Sequence, residues 1–509
     1  MKTFVFFIGG TGARVLRSLT MLLASGVSLK DEQDSIVPII VDFDATNADL
    51  KRSNELIGQY NKLHKVCDYA KDKFEAGFFK APLGIEENGK FKPFGSLVKM
   101  SFTDDRSTFG KYIGYDSIGQ ISKETAATKM LIDSLYDDSS EGSRDRELNL
   151  ELKYGFKGNP NIGSVVFNEY FKSDQFQEFK DNFNPGDRIF IVASIFGGTG
   201  SSGLPQLVKK IRENVTSKLQ DDGTVKDIRE AMLGTCIVMP YFKVKDKADS
   251  AINSLTFKSK AKAALGYYHD EINKDISEVY YIGCEEQNVG YENIEGGDKQ
   301  ENNAHIVELL SAMSIIEFAN RNKVELGEPT RYYEYTTTSV DSLPNPSFMN
   351  ILARPGESEV YRNYVKKLNA FAILLKFFED NTRAQASKGF FSGGKDSYYK
   401  NLEDYLAPGK DFSEILFDFT KSFKLWAKEL SENSIYKFYP YNFDAKHLYE
   451  LVKIDDSNTY KAKNLDDTIV RALNNNCVKE NKKDSDGGKT FLRHAYTATM
   501  EAASKLAQE

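Results

Sequence analysis

Along the chain, short runs of β-branched and aromatic residues alternate with apolar positions at helical spacing. Residues 3–8, TFVFFI, predict a strand. The glycines of GGTG at 9–12 end that run. ARVLRSLTMLLASG follows, with Val15, Leu16, Leu19, Leu22 and Leu23 spaced as on a helix that stops at Gly26. A second apolar run, Ile36 to Val41, leads into Asp42, Phe43 and Asp44. Strand, glycine loop, helix and strand predict the opening of a parallel α/β domain.

The same alternation returns downstream. Residues 50–150 read as charged helical stretches joined by polar connections, and 154–164, YGFKGNPNIGS, as a loop. A strand at 188–195 runs into a second glycine turn, FGGTGSSG, and then the helix LPQLVKKIRENVTSKL, where Pro205 suits a first turn. Strands at 234–239 and 278–283, with a helix at 252–270 between them, complete five or six strands. From Asn302 the stretch NNAHIVELLSAMSIIEFANRNK is apolar on more than one face, which predicts a helix sandwiched between layers. Beyond it, polar loops alternate with amphipathic stretches such as VYRNYVKKLNAFAILLKFFEDN and SEILFDFTKSFKLWAKEL. Trp426 and the aromatics of 436–443 read as core, and the last fifteen residues as a terminal helix.

Composition narrows the classes. A chain of 509 residues predicts more than one domain, and 40% hydrophobic residues suffice to build large cores. The formal net charge of -7, with Lys and Arg spread along the chain, argues against nucleic acid as the main partner. Cys67, Cys236, Cys284 and Cys477 show no paired spacing, so neither a disulfide framework nor a zinc site is expected. The N-terminal apolar run is broken by Gly9, Gly10, Gly12, Arg14 and Arg17, unlike a signal peptide. No window reaches the roughly 18 apolar residues of a membrane span. A cytoplasmic protein is the expectation.

The chemistry lies in the two glycine turns. Each joins a strand to a helix, where glycine lets backbone approach a bound group and the helix start offers unpaired N–H donors. The first, Gly9-Gly10-Thr11-Gly12, lacks the third glycine of a dinucleotide fingerprint. The second, Gly197-Gly198-Thr199-Gly200-Ser201, adds two hydroxyls. Neither has P-loop spacing, and GGKT at 487–490 lacks the upstream glycine and reads as a surface loop. At the carboxyl edge of one parallel sheet, both turns would face a common crevice. Asp44 stands where an acid contacts a ribose hydroxyl or reaches phosphate-bound Mg²⁺ through water.

This arrangement resembles the tubulin/FtsZ superfamily over roughly residues 1–325. GGTGSSG resembles that family's glycine-rich phosphate loop, with Phe196 in place of its first glycine. Gly9 to Arg14 resembles the first nucleotide loop, DFDATNADL the second, and GFKGNPNIGS, with Gly158, Asn159 and Gly163, the third. MPYF at 239–242 resembles the stretch that turns towards the ribose. NNAH, with Asn302 and Asn303, resembles the start of a long central helix that reads guanine. The resemblance implies a GTP/GDP-binding α/β domain over 1–325 with Mg²⁺, a mixed helix-rich region over 326–509, and self-association into a cytoskeletal polymer or oligomer. The family hydrolyses GTP between subunits with acids in the loop after the central helix. Here Asn320 and Asn322 fall near that pattern, with Glu325 and Glu328 as the next acids. The alternative is a nucleotide-binding switch or scaffold that neither polymerises nor hydrolyses efficiently.

Overall fold

The computed structural model describes residues 1–31, 34–44, 46–67, 76–87, 90–92, 107–118, 123–136, 147–213, 218–219, 225–245, 254–284, 290–292, 294, 297–323, 328–337, 359–383, 397–432, 438–452, 465–479 and 487–506. Six strands form one sheet: β1 (Lys2–Ile8), β2 (Ser35–Val41), β3 (Arg188–Ser194), β4 (Met232–Val238), β5 (Glu278–Cys284) and β6 (Arg331–Thr337). They lie in the order β6-β5-β4-β3-β1-β2, and every pairing is parallel. Strands β2, β3 and β4 are buried along their whole length. That explains the continuous apolar runs: a parallel sheet covered on both faces has no solvent side to alternate towards.

The chain leaves β1 in one direction to β2, then returns to β3 on the other side and continues outward to β6. The strand order therefore reverses between β1 and β3, and a crevice opens beyond their carboxyl ends. The helices following these two strands are α1 (Gly9–Ala24) and α4 (Gly198–Glu213), counting α2 (Ala48–Cys67) and α3 (Pro160–Val166) between them. Next come α5 (Ser254–Glu271) and α6 (Ile306–Asn320). Helix α6 packs on α1 and on β3, β4 and β5, and only Glu317 of its residues is exposed. This bears out a helix apolar all round and sandwiched between layers.

Several local expectations shift. Both helices after the glycine turns begin at the glycines themselves, because the first-turn N–H groups have no intrahelical partner whatever residue supplies them. Pro205 thus lies inside α4 rather than in its first turn. The carbonyl it leaves without a partner, that of Ser201, accepts a hydrogen bond from Tyr268 Oη at 2.8 Å. Pro160 starts the short helix α3 within the stretch read as a loop, and Gly163 lets that helix close onto Ser202. The helix after NNAH runs only Ile306–Asn320. It is capped by His305, whose Nδ1 accepts from Val307 N–H (3.1 Å) while Glu308 Oε2 accepts from His305 N–H (3.0 Å). The sheet continues past residue 325, since β6 belongs to it and pairs with β5.

The C-terminal region contributes α7 (Lys366–Phe377), α8 (Asp411–Glu432) and α9 (Gly487–Leu506). Its core is continuous with that of the sheet. Phe371 and Phe419 meet Phe79, and the buried Trp426 donates its indole N–H to Ser18 Oγ of α1 at 3.2 Å. Phe438 and Tyr441 are buried too. Gly487 and Gly488 are not a surface loop: they are the buried first turn of α9, where Cβ atoms would strike Tyr405 and Phe412. Among the described residues, no helix is long and apolar enough to cross a membrane.

Candidate functional site

A cleft of about 1010 Å³, counting the space open to solvent, lies at the crevice between the ends of β1 and β3. Gly9, Gly10, Thr11, Arg14, Asp44, Gly158, Gly197, Gly198, Thr199, Gly200 and Asn302 of the sequence candidates line it. The two glycine turns touch: a Cβ on Gly9 would lie 3.6 Å from Thr199 Cβ. Gly9 itself adopts a left-handed φ of 71°, which carries the chain from strand into helix. The third loop closes on the second turn, since a Cβ on Gly198 would lie 3.0 Å from Gly158 N and 3.2 Å from Asn159 N.

The electrostatics of this meeting point favour an anion. Helix α1 has no side-chain cap at Ile8, and neither α1 nor α4 carries an acid in its first turn. Their N-terminal N–H groups and positive dipole ends therefore face the cleft uncancelled. The remaining candidates have packing places instead. Gly12 lies against the Phe7 backbone, and Gly163 against Ser202. Ser201 donates its hydroxyl to the Gly197 carbonyl. Asn159 precedes α3, and Asn303 is half-buried outside the cleft lining.

Arg14 reaches the cleft, but most of its donors are committed. Nε donates to Glu308 Oε1 (2.6 Å), Nη1 to Asp49 Oδ2 (2.9 Å), and Nη2 to Tyr241 Oη (2.8 Å) and Thr11 Oγ1 (3.3 Å). Burial disfavours its charge. The neighbouring Tyr241, Glu308 and Asp49 more than offset that, and the guanidinium stays protonated. Asp49 also accepts from Arg52 (2.7 Å) and from the Asn302 amide (3.3 Å). Arg52 continues to Glu429 Oε1 of α8 (2.6 Å), and Glu429 in turn binds Arg17 and the Ala304 N–H (3.0 Å). Three arginines and three acids, on α1, α2, α6 and α8, thus form a buried floor beneath the cleft. An acid inside an apolar helix, Glu308, was the sequence signal for it.

Other lining residues had weak signals. Phe196, Phe242 and Phe257 pack edge-to-face or tilted with centroids 5.2 to 6.3 Å apart and form an apolar wall. Asn47 donates to Gln300 Oε1 at 2.6 Å, and both line the cleft. Asp44 accepts from Thr46 N (3.0 Å) and Gly297 N (2.6 Å), tying the segment near 297 to the site.

Asp42, buried in the same lining, has its carboxyl pushed up to about 7 by burial, with the Asp44 charge adding to it. A raised carboxyl pKa means the folded state holds a proton that the unfolded chain releases above about 3.8. Its contribution to stability is complete below that value and declines as pH rises towards 7. In the cleft, the neutral acid tolerates an anion and the ionised form repels it. Anion affinity is therefore expected to fall between pH 6 and 8, and Asp42→Asn to flatten that dependence. A slope unchanged in the Asn variant would rule Asp42 out.

No protein-family model matches this chain, and no curated protein matches it either.

Proposed function

We propose that the cleft binds a guanine nucleotide, with its phosphates on the Gly9–Gly12 and Gly197–Gly200 turns. The observation that carries this reading is the convergence of two acid-free helix starts, that of α1 without a side-chain cap, and a third glycine loop at the point where the strand order reverses. The guanine preference rests on the resemblance of these loops to the tubulin/FtsZ superfamily, supported by the amides of Asn47, Gln300 and Asn302 in the lining. The aromatic wall offers an apolar surface to the nucleoside.

Glycines suit phosphates because a Cβ would crowd the approach. Magnesium would accompany the phosphates, and Asp44 of the lining is the residue that would hold a water of its shell. When bound, it would neutralise charge on the phosphate oxygens.

Hydrolysis in the manner of that superfamily would need an acid from a neighbouring molecule beside the cleft's own Asp42, Asp44 and Glu292. Glu325 lies outside the described residues. Glu328 precedes β6 at the opposite, amino edge of the sheet, and Asn320 and Asn322 line a depression with Arg188 at the start of β3. A shared site would therefore require head-to-tail docking of one molecule's amino edge on the next molecule's cleft. Two described acids of that edge, Glu317 and Glu328, pair with Arg321 and Arg331. That pairing favours the second reading, a nucleotide-binding switch or scaffold with little turnover.

The test is calorimetric titration of nucleotide-free protein with GTP, GDP and ATP in Mg²⁺, followed by light scattering and phosphate release across protein concentrations. Selective guanine-nucleotide binding is expected. Binding to none of the three would refute the reading. Binding without a scattering rise would favour the switch, and a per-subunit rate independent of concentration would exclude a shared site.

A further inference from the structure

The described residues contain two non-glycine positions in the left-handed region, Phe79 (φ 56°) and Lys157 (φ 43°). Phe79 is explained by packing: it is fully buried against Tyr60, Phe371 and Phe419. Lys157 is half-buried at the cleft. It lies in a tight turn closed by Asn159 N–H donating to Phe156 O at 2.8 Å, with Gly158 (φ 78°) as the other central residue. Positive φ at both central positions is the type I′ pattern, which asparagine, aspartate and glycine adopt readily and lysine does not. A strained residue of this kind persists where its side chain serves something other than the turn.

The turn's position says what that is. Its backbone lies against Gly198, the first residue of α4, and Gly155 beside it approaches Thr199 Oγ1. Lys260 of α5 anchors the turn from behind, donating Nζ to the Gly158 carbonyl at 2.7 Å. Lys157 itself lines the cleft. We propose that Lys157 is a phosphate-binding residue of the cleft, held beside the second glycine turn at the expense of an unfavourable backbone conformation. This rests on the nucleotide reading above. Lysine serves here as a point charge on phosphate oxygens.

The two consequences have opposite signs, which separates function from architecture. Lys157→Asn removes the charge and relieves the backbone, so the variant is expected to melt at a higher temperature while binding GTP about tenfold more weakly by calorimetry. Lys157→Arg keeps the charge and the strain, and should bind within about threefold of the parent. Lys157→Gly repeats the Asn experiment with a residue that has no side chain to misplace. Unaltered GTP affinity in the Asn and Gly variants would overturn the proposal, as would an Arg variant as weak as they are. A parent protein that binds no nucleotide would remove this inference together with its premise. Parental binding with indifferent variants would remove this inference alone.

Discussion

Gly12→Ala is expected to destabilise the protein by about 3 kcal/mol or more, whereas Gly10→Ala, two residues away, should leave stability nearly unchanged. A Cβ on Gly12 would stand 2.5 Å from the Phe7 carbonyl carbon and 2.9 Å from its Cα. Those are backbone atoms of β1, a strand hydrogen-bonded to β2 on one side and β3 on the other. Neither can retreat without breaking the sheet, so α1 must lift off. At Gly10 the nearest atoms are the ends of Arg14 and Asn47, both at 3.6 Å, which is ordinary contact. The Gly10 variant should instead lose ligand affinity, because its methyl enters the cleft. Urea denaturation of both variants decides the matter. A Gly12→Ala protein as stable as the parent would mean that α1 does not sit this closely on β1.

Asp49→Ala should cost about 3–5 kcal/mol, the range for removing one partner from a buried ion pair. Asp49 is 1% exposed and holds Arg14 at 2.9 Å and Arg52 at 2.7 Å, so its loss takes one counterion from each of two guanidinium groups. Since Arg52 also binds Glu429 at 2.6 Å, the Asp49 and Glu429 truncations share a partner and should not add. A double variant whose loss equals the sum of the two singles would show that the floor is not one network. The pH dependence follows from the same groups. Burial pushes the Asp49 carboxyl up, but Arg14, Arg17 and Arg52 outweigh it and leave its pKa below the ordinary value. A depressed folded pKa gives stability that is present above the unfolded value of about 3.8 and lost as pH falls through the folded one. Acid unfolding of the parent should therefore be steeper than that of Asp49→Ala. This is opposite in sign to the Asp42 contribution, which declines as pH rises.

The floor also explains how the C-terminal helices bear on the cleft. Glu429 belongs to α8, yet it binds Arg17 of α1 and the Ala304 N–H just ahead of α6. The C-terminal region is thus bonded to the helix that begins at the first glycine turn.

The strands and the two glycine turns were legible in the local pattern of the chain. Strands β1 to β5 are readable because a parallel sheet buried on both faces demands unbroken apolar runs, and the runs of β1 and β3 end at the glycine turns. The character of α6 was equally legible, because a helix apolar on every face has to lie between layers. These are local properties, fixed by neighbours within a few residues. What each glycine is for depended on how the layers pack: Gly10 and Gly198 face the cleft, while Gly12 and Gly163 let elements close on one another. The same packing paired Arg14 with Glu308, 294 residues away, and brought β6 into the sheet from beyond residue 325. Nothing in a short window specifies such partners. They follow from how the layers close, because a buried charge must find its counterion wherever the chain brings one within reach.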